Sequence, residues 1–153
     1  MADPLVETWL IHDRIHRYLL ADIAEDSLPL ALAPKHRTVG GLFAHIHNVR
    51  LMWLKSAAPE LLEGLDKLEA DGLTKAALEG ALTASGAAIG ELLSRAVAAG
   101  GKVKGFKPHA TAFLGYLIAH ESHHRGQILW NLKNSGRPVS QKVGFGLWEW
   151  GVR

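Results

Sequence analysis

The stretch FLGYLIAHESHHRGQILWNL, Phe113 to Leu132, carries three histidines within five residues on what reads as a helix. At about 100° per residue, His120 and His124 project about 40° apart, so one face presents two imidazoles a turn apart. His123 lies about 60° to the other side of His120, near that face but not stacked with His124. Two imidazoles at i and i+4 can grip one metal ion, and a third ligand must then come from elsewhere.

Working outward, this helix runs from about His109 to Asn134, and Ser135-Gly136-Arg137-Pro138 supplies its stop. The third ligand is sought on VGGLFAHIHNVRLMWLKS, a helix from about Val39 to Ser56 with Thr38 as its cap. Leu42, His45, Ile46, Val49 and Trp53 form one stripe there, so His45 points where the apolar residues point, and His47 is about 200° away. A lone histidine on an apolar face is more often a satisfied core residue than a ligand. Here another helix offers a pair with ligand spacing.

Two more helices complete the reading. Asp3-Pro4 starts one that extends to about Ala24, with Leu5, Trp9, Ile15, Leu19 and Ile23 at helical spacing. Its own pair, His12 and His16, is expected to flank the core on a wet face among Asp13, Arg14 and Arg17. The segment from about Thr74 to Ala99 is rich in Ala and Gly, which suggests close approach to a neighbour, and Gly100-Gly101 stops it. Leu28 to Arg37, residues 58 to 73 (with a helical turn around Leu61 to Leu68) and the basic Lys102 to Pro108 are connections. The remainder, VSQKVGFGLWEWGVR, reads as an ordered tail over the helices. The expectation is an all-α four-helix bundle, one domain over residues 1–153, the architecture in which metal sites are built on facing helices.

Composition bounds the chemistry. The chain of 153 residues contains no cysteine, so thiolate ligands and disulfides are impossible and a metal must be held by His, Asp or Glu. The N-terminus carries acids and no long apolar run, unlike a secretory signal, and no segment suits a membrane span. A cytoplasmic protein is expected. The net charge of +2 is mild and its cations are scattered, so no nucleic-acid partner is expected.

HESHHRGQI, from His120 to Ile128, resembles the signature of the DinB/YfiT-like superfamily, a group of metal-binding bundles. TVGGLFAHIHNVRLMWL, from Thr38 to Leu54, is similar to that family's second helix, where a His followed by an aliphatic residue is the first ligand. The tail GLWEW is similar too. The resemblance implies that His45, His120 and His124 are the ligands and that His123 is a bystander. Gly41 departs from the pattern, where an acid is often seen, and His47 adds an imidazole that the motif does not require.

Three neutral imidazoles leave a divalent ion, zinc or nickel, with a position open for water or substrate. The resemblance further implies a transferase or isomerase that uses a low-molecular-weight thiol, and pairing into a homodimer. Metal-assisted hydrolysis with Glu121 as base is a second reading, and a non-catalytic, stress-associated metal-binding bundle a third. Glu121 and Arg125 stand i, i+4 with the acid first, a pair worth about 0.3–0.5 kcal/mol if exposed; alternatively either orders the metal's surroundings or holds an anionic substrate. Gly126 costs roughly 1 kcal/mol relative to Ala, so close packing opposite it is expected. Gln127 either bonds across the bundle or is solvated. Trp53, Trp130, Trp148 and Trp150 are expected as core and tail anchors, with one or two lining a pocket above the metal.

Overall fold

The computed structural model describes residues 2–153. Among them the regular elements are all helical, apart from an isolated bridge between Val103 and Phe106. None of these helices is long and apolar enough to cross a membrane. Four are long: α1 (Pro4–Asp22), α2 (Val39–Ala57), α3 (Lys75–Ala98) and α4 (Ala110–Asn134). A short α5 (Gln141–Gly146) and a 3-10 turn (Trp150–Val152) make up the tail. Two further 3-10 turns, Glu25–Ser27 and Pro59–Leu62, lie in the connections, the second starting ahead of the turn expected around Leu61 to Leu68.

Each long helix begins at a residue able to satisfy a free backbone N–H. Asp3 accepts from the Leu5 N–H at 2.8 Å, and Thr38 accepts from that of Gly41 at 2.9 Å. Thr74 and the His109 ring accept in the same way at α3 and α4. At the end of α3, Gly100 and Gly101 take φ of 93° and 81°, and the Gly101 N–H reaches back to the Ala96 carbonyl. That reversal requires a left-handed backbone which glycine adopts freely.

The apolar core forms two clusters. One gathers Leu19, Phe43, Ile46, Leu78, Leu82 and Ile128. The other gathers Trp9, Leu54, Ile89, Leu93, Phe113 and Leu117. Along all four long helices the clusters are separated by buried polar residues: His12, Asp13 and His16 on α1, Arg50 on α2, Ser85 on α3 and Glu121 on α4. A polar layer therefore crosses the core at mid-height, contrary to the expectation of a wet face for His12 and His16. Both rings are fully buried, Asp13 with them, and of the flanking basic pair only Arg14 is exposed.

The glycines of α3 make the expected close approach, and they make it to α1. A Cβ at Gly86 would lie 2.5 Å from the Asp13 carboxyl carbon, and one at Gly90 would lie 3.4 Å from Leu10. The face that carries Gly86 and Gly90 is buried inside the chain. Gly126 differs: a Cβ there would meet nothing within 4 Å, so no packing requirement explains it. Of the tryptophans, Trp53 packs edge-on with Phe106, Phe113 and Tyr116, and Trp150 lies against the first cluster. Trp130 and Trp148 are 58% and 76% exposed, so neither is an anchor. Trp9, on the apolar stripe read for α1, is fully buried, and its indole N–H donates to the Gly86 carbonyl at 2.8 Å.

Candidate metal centre

α2 and α4 pack together, and that contact brings His45 beside His120 and His124. One nitrogen from each ring lies within 4.8 Å of the other two. The Nε2 atoms of His120 and His124 are 3.1 Å apart. Nitrogens about 2.0–2.1 Å from a shared tetrahedral ion stand about 3.3 Å from each other, so this pair already has ligand spacing. His124 is oriented by Gln127, whose Oε1 accepts from the His124 Nδ1–H at 2.7 Å. That bond fixes the tautomer and leaves the Nε2 lone pair free, as is usual in metal-binding histidines.

The electrostatics favour neutral rings. Burial pushes His45 down to about 4, helped by Arg37 and by the other two imidazoles. Burial also lowers His120, with His124 adding to the effect, and lowers His124 against the opposing bond from Gln127. A ligand histidine must be unprotonated, and near neutral pH these three present free lone pairs. The residues therefore fit a divalent ion, with His45 and His120 half-exposed on the open side.

A second group has similar spacing. His12 Nε2 and His16 Nε2 lie 3.2 and 3.1 Å from Glu121 Oε1, and 3.1 Å from each other. Its surroundings differ. Arg50 donates to both oxygens of Glu121, from Nη2 at 2.7 Å and from Nε at 2.9 Å. Arg50 Nη1 also reaches Asp13 Oδ1 at 2.9 Å and the Leu82 carbonyl at 3.1 Å, while its guanidinium lies 4.8 Å from the Trp9 ring centre. The Nδ1 atoms of His12 and His16 have no partner, as is also true of His120 Nδ1, so it is the guanidinium and the burial that set this group apart. A divalent ion here would sit beside a guanidinium in a site closed to water, which argues against it.

This is a structural ion network. Burial works against its charges, yet Glu121 and Asp13 hold the Arg50 guanidinium protonated. In return, Arg50 and the two imidazoles hold the Glu121 carboxyl well below the usual range. His16, buried and beside His12, is pushed down to about 3. The partner of Glu121 is thus Arg50 and not Arg125, which is itself buried and reaches Ser122 Oγ at 3.5 Å. The network joins α2 to α4, the two helices that carry the three histidines. Glu121 follows His120 in the chain, so gripping one carboxylate sets the rotation of α4.

The other candidates are placed as follows. His47, fully inside, makes a 2.8 Å hydrogen bond from Nε2 to the Asp66 carbonyl and ties down the second connection. His123 is exposed and outside the group of three, its ring packed edge-on against His124 with centres 5.0 Å apart. Arg50 escaped the sequence reading, although Phe43, Ile46, Arg50 and Leu54 recur at i+3 and i+4, and an arginine within such a stripe signals a buried partner. A cavity of about 630 Å³ lies between the first connection and α4, and none of the three histidines lines it. Gln127 lines it while holding His124.

The model of the DinB family matches residues 1–144 of the chain. No curated protein matches it.

Proposed function

The chain belongs to the DinB family, and from that premise we propose that it is a metal-dependent enzyme built on a four-helix bundle of the DinB/YfiT-like type. His45, His120 and His124 hold one divalent ion, zinc or nickel. The observation that carries this reading is the convergence of three neutral imidazoles from two helices, with one nitrogen of each within 4.8 Å of the others. When bound, such an ion supplies Lewis-acid chemistry to a water, thiol or carbonyl that reaches its open position. The chain's own residues do the rest: Gln127 aims His124, and the grip of Arg50 on Glu121 sets the rotation of α4. The cavity admits a small molecule.

The favoured reaction is a transfer or isomerisation that uses a low-molecular-weight thiol. The chain has no cysteine nucleophile, so a thiol must come from a cosubstrate. Metal-assisted hydrolysis is the second reading, but for Glu121 to act as base its carboxylate would have to leave Arg50 and become exposed. A homodimer and a cytoplasmic location remain part of the proposal.

Metal analysis of untagged protein and of His45→Ala tests the centre. About one ion per chain in the first and a large loss in the second are expected. A panel of small thiols with electrophilic acceptors tests the reaction. Turnover that needs both metal and thiol supports it, and thiol-independent turnover points to hydrolysis. Metal binding without any turnover would leave a bundle that the ion only cements.

A further inference from the structure

The cavity linked to the three histidines through Gln127 has an uneven chemistry. Its wall from the first connection carries Leu32, Lys35, His36 and Arg37, and its wall from α4 carries Gln127 and Trp130. The remaining lining residues, Leu42 and Asn131, are also uncharged, so no acid faces the space. Lys35 and Arg37 are exposed and, among the described residues, neither makes an ion pair. Arg14 and Arg125 likewise make no ion pair among the described residues, but neither lines this cavity. Two free cations and an ionisable imidazole beside one concave space are the chemistry of an anion site.

The connection that carries them is held in place. Leu28 and Leu30 accept backbone bonds from Gly40 and Val39 at the start of α2, at 2.9 Å each. Asn131 on α4 donates its side-chain N–H to the Leu30 carbonyl at 3.0 Å, and the His36 N–H closes a turn onto Ala33. The cations are thus presented by a backbone pinned to both helices of the metal centre. Trp130 supplies a broad apolar wall next to them. Gln127 joins the cavity to His124 directly, and Arg37 is close enough to help lower all three ligand imidazoles.

We propose that this cavity binds the acidic end of the substrate: a small organic anion, its carboxylate or phosphate taken by Arg37 and Lys35, its apolar body laid on Trp130, its reacting end directed to the three histidines. This rests on the metal-enzyme reading above and names the substrate class of that same site. A nucleic acid is a poorer occupant, because the cations line one cavity of small-molecule size and form no stripe.

The test is a fluorine-NMR titration with 4-fluorobenzoate and its neutral counterpart 4-fluorobenzamide. It is run on the protein as purified and again after metal removal with a chelator. Both probes share one body, so their difference reads the charge. The benzoate should bind at least about tenfold more tightly, the scale of one charge-assisted contact, and added salt should weaken it. Lys35→Ala/Arg37→Ala should erase the difference, and Trp130→Ala should weaken both probes together. All three positions are exposed, so folding should be unaffected. Equal binding of the probes, no binding of either, or a preference that survives Lys35→Ala/Arg37→Ala overturns the proposal. So does a preference that exists only with metal present, which would mean the carboxylate binds the ion. If the metal analysis above finds no ion on the untagged protein while the preference for the anion remains, the metal reading alone has failed.

Discussion

Replacing Gly86 with alanine puts two opposing effects in one substitution. Alanine is the better helix former, worth about 1 kcal/mol over glycine in a helix interior. At this position the new methyl would stand 2.5 Å from the Asp13 carboxyl carbon and Oδ1 and 2.6 Å from Oδ2. Asp13 has no room to retreat, because its oxygens are held by Arg50 at 2.9 Å and Arg17 at 3.1 Å and its side chain is buried. Overpacking alone costs about 1–3 kcal/mol. Separating Asp13 from the buried guanidinium adds part of the roughly 3–5 kcal/mol of a broken buried pair. The clash wins, and the net loss should be about 2–4 kcal/mol. For a chain of this length that lowers Tm by roughly 5–15 °C. Urea unfolding followed by far-UV circular dichroism measures it, with Gly126→Ala as the internal control. The control meets nothing within 4 Å, so it should gain about 0.5–1 kcal/mol. If Gly86→Ala proved as stable as wild type, or gained as the control does, the packing of Asp13 against α3 would be wrong and the polar layer with it.

Three further outcomes are expected. Arg50→Met should destabilise by about 3–5 kcal/mol, since it leaves Glu121 buried without its cation; adding Glu121→Gln should recover part of that in the same urea assay. Gln127→Leu frees the His124 ring and should weaken metal affinity about 10–100-fold in competition with a chromophoric chelator, with little change in Tm of the metal-free protein. Stability should fall on acidification. His16 is held down to about 3 from 6.5, so below pH 6.5 the unfolded chain takes up a proton that the folded one refuses. Its contribution is complete above that value and declines toward pH 3, by about 1.4 kcal/mol per unit for this one group. Glu121 acts in the same sense at lower pH, its contribution present above its ordinary value of 4.5 and lost as pH falls. Urea midpoints that stayed flat between neutral pH and about pH 4 would contradict the burial of His16.

The four long helices were legible because their caps and stops are local chemistry. Asp3, Thr38 and Thr74 each sit where an N–H needs an acceptor, and the helix bounds fell within two residues of those read from the sequence. The convergence of His45 with His120 and His124 was only partly within reach. Spacing puts the pair on one face, but the buried face of α2 runs through Phe43, Ile46, His47, Arg50 and Leu54 rather than the stripe read through His45, Val49 and Trp53. His45 stands half-exposed at its edge. What the sequence hid was the polar layer. His12, Asp13, Arg50 and Glu121 look like surface residues one at a time, and each is tolerated inside only because the others are there. Their pairings span up to 109 residues of chain, so no local pattern announces them. Trp130 was legible in part: a large aromatic on an amphipathic helix suggests core, which it is not, but it does line a cavity, as expected of one or two of the tryptophans.

Glu121 and His120 are consecutive, one gripped in the interior and the other turned toward His45. Inserting or deleting a single residue upstream within α4 would swing both by about 100° together. The interior would then receive a side chain unable to neutralise Arg50. A chain whose imidazoles were mis-aimed in this way would also lose the roughly 3–5 kcal/mol of the buried pair, so aim and stability rise and fall together.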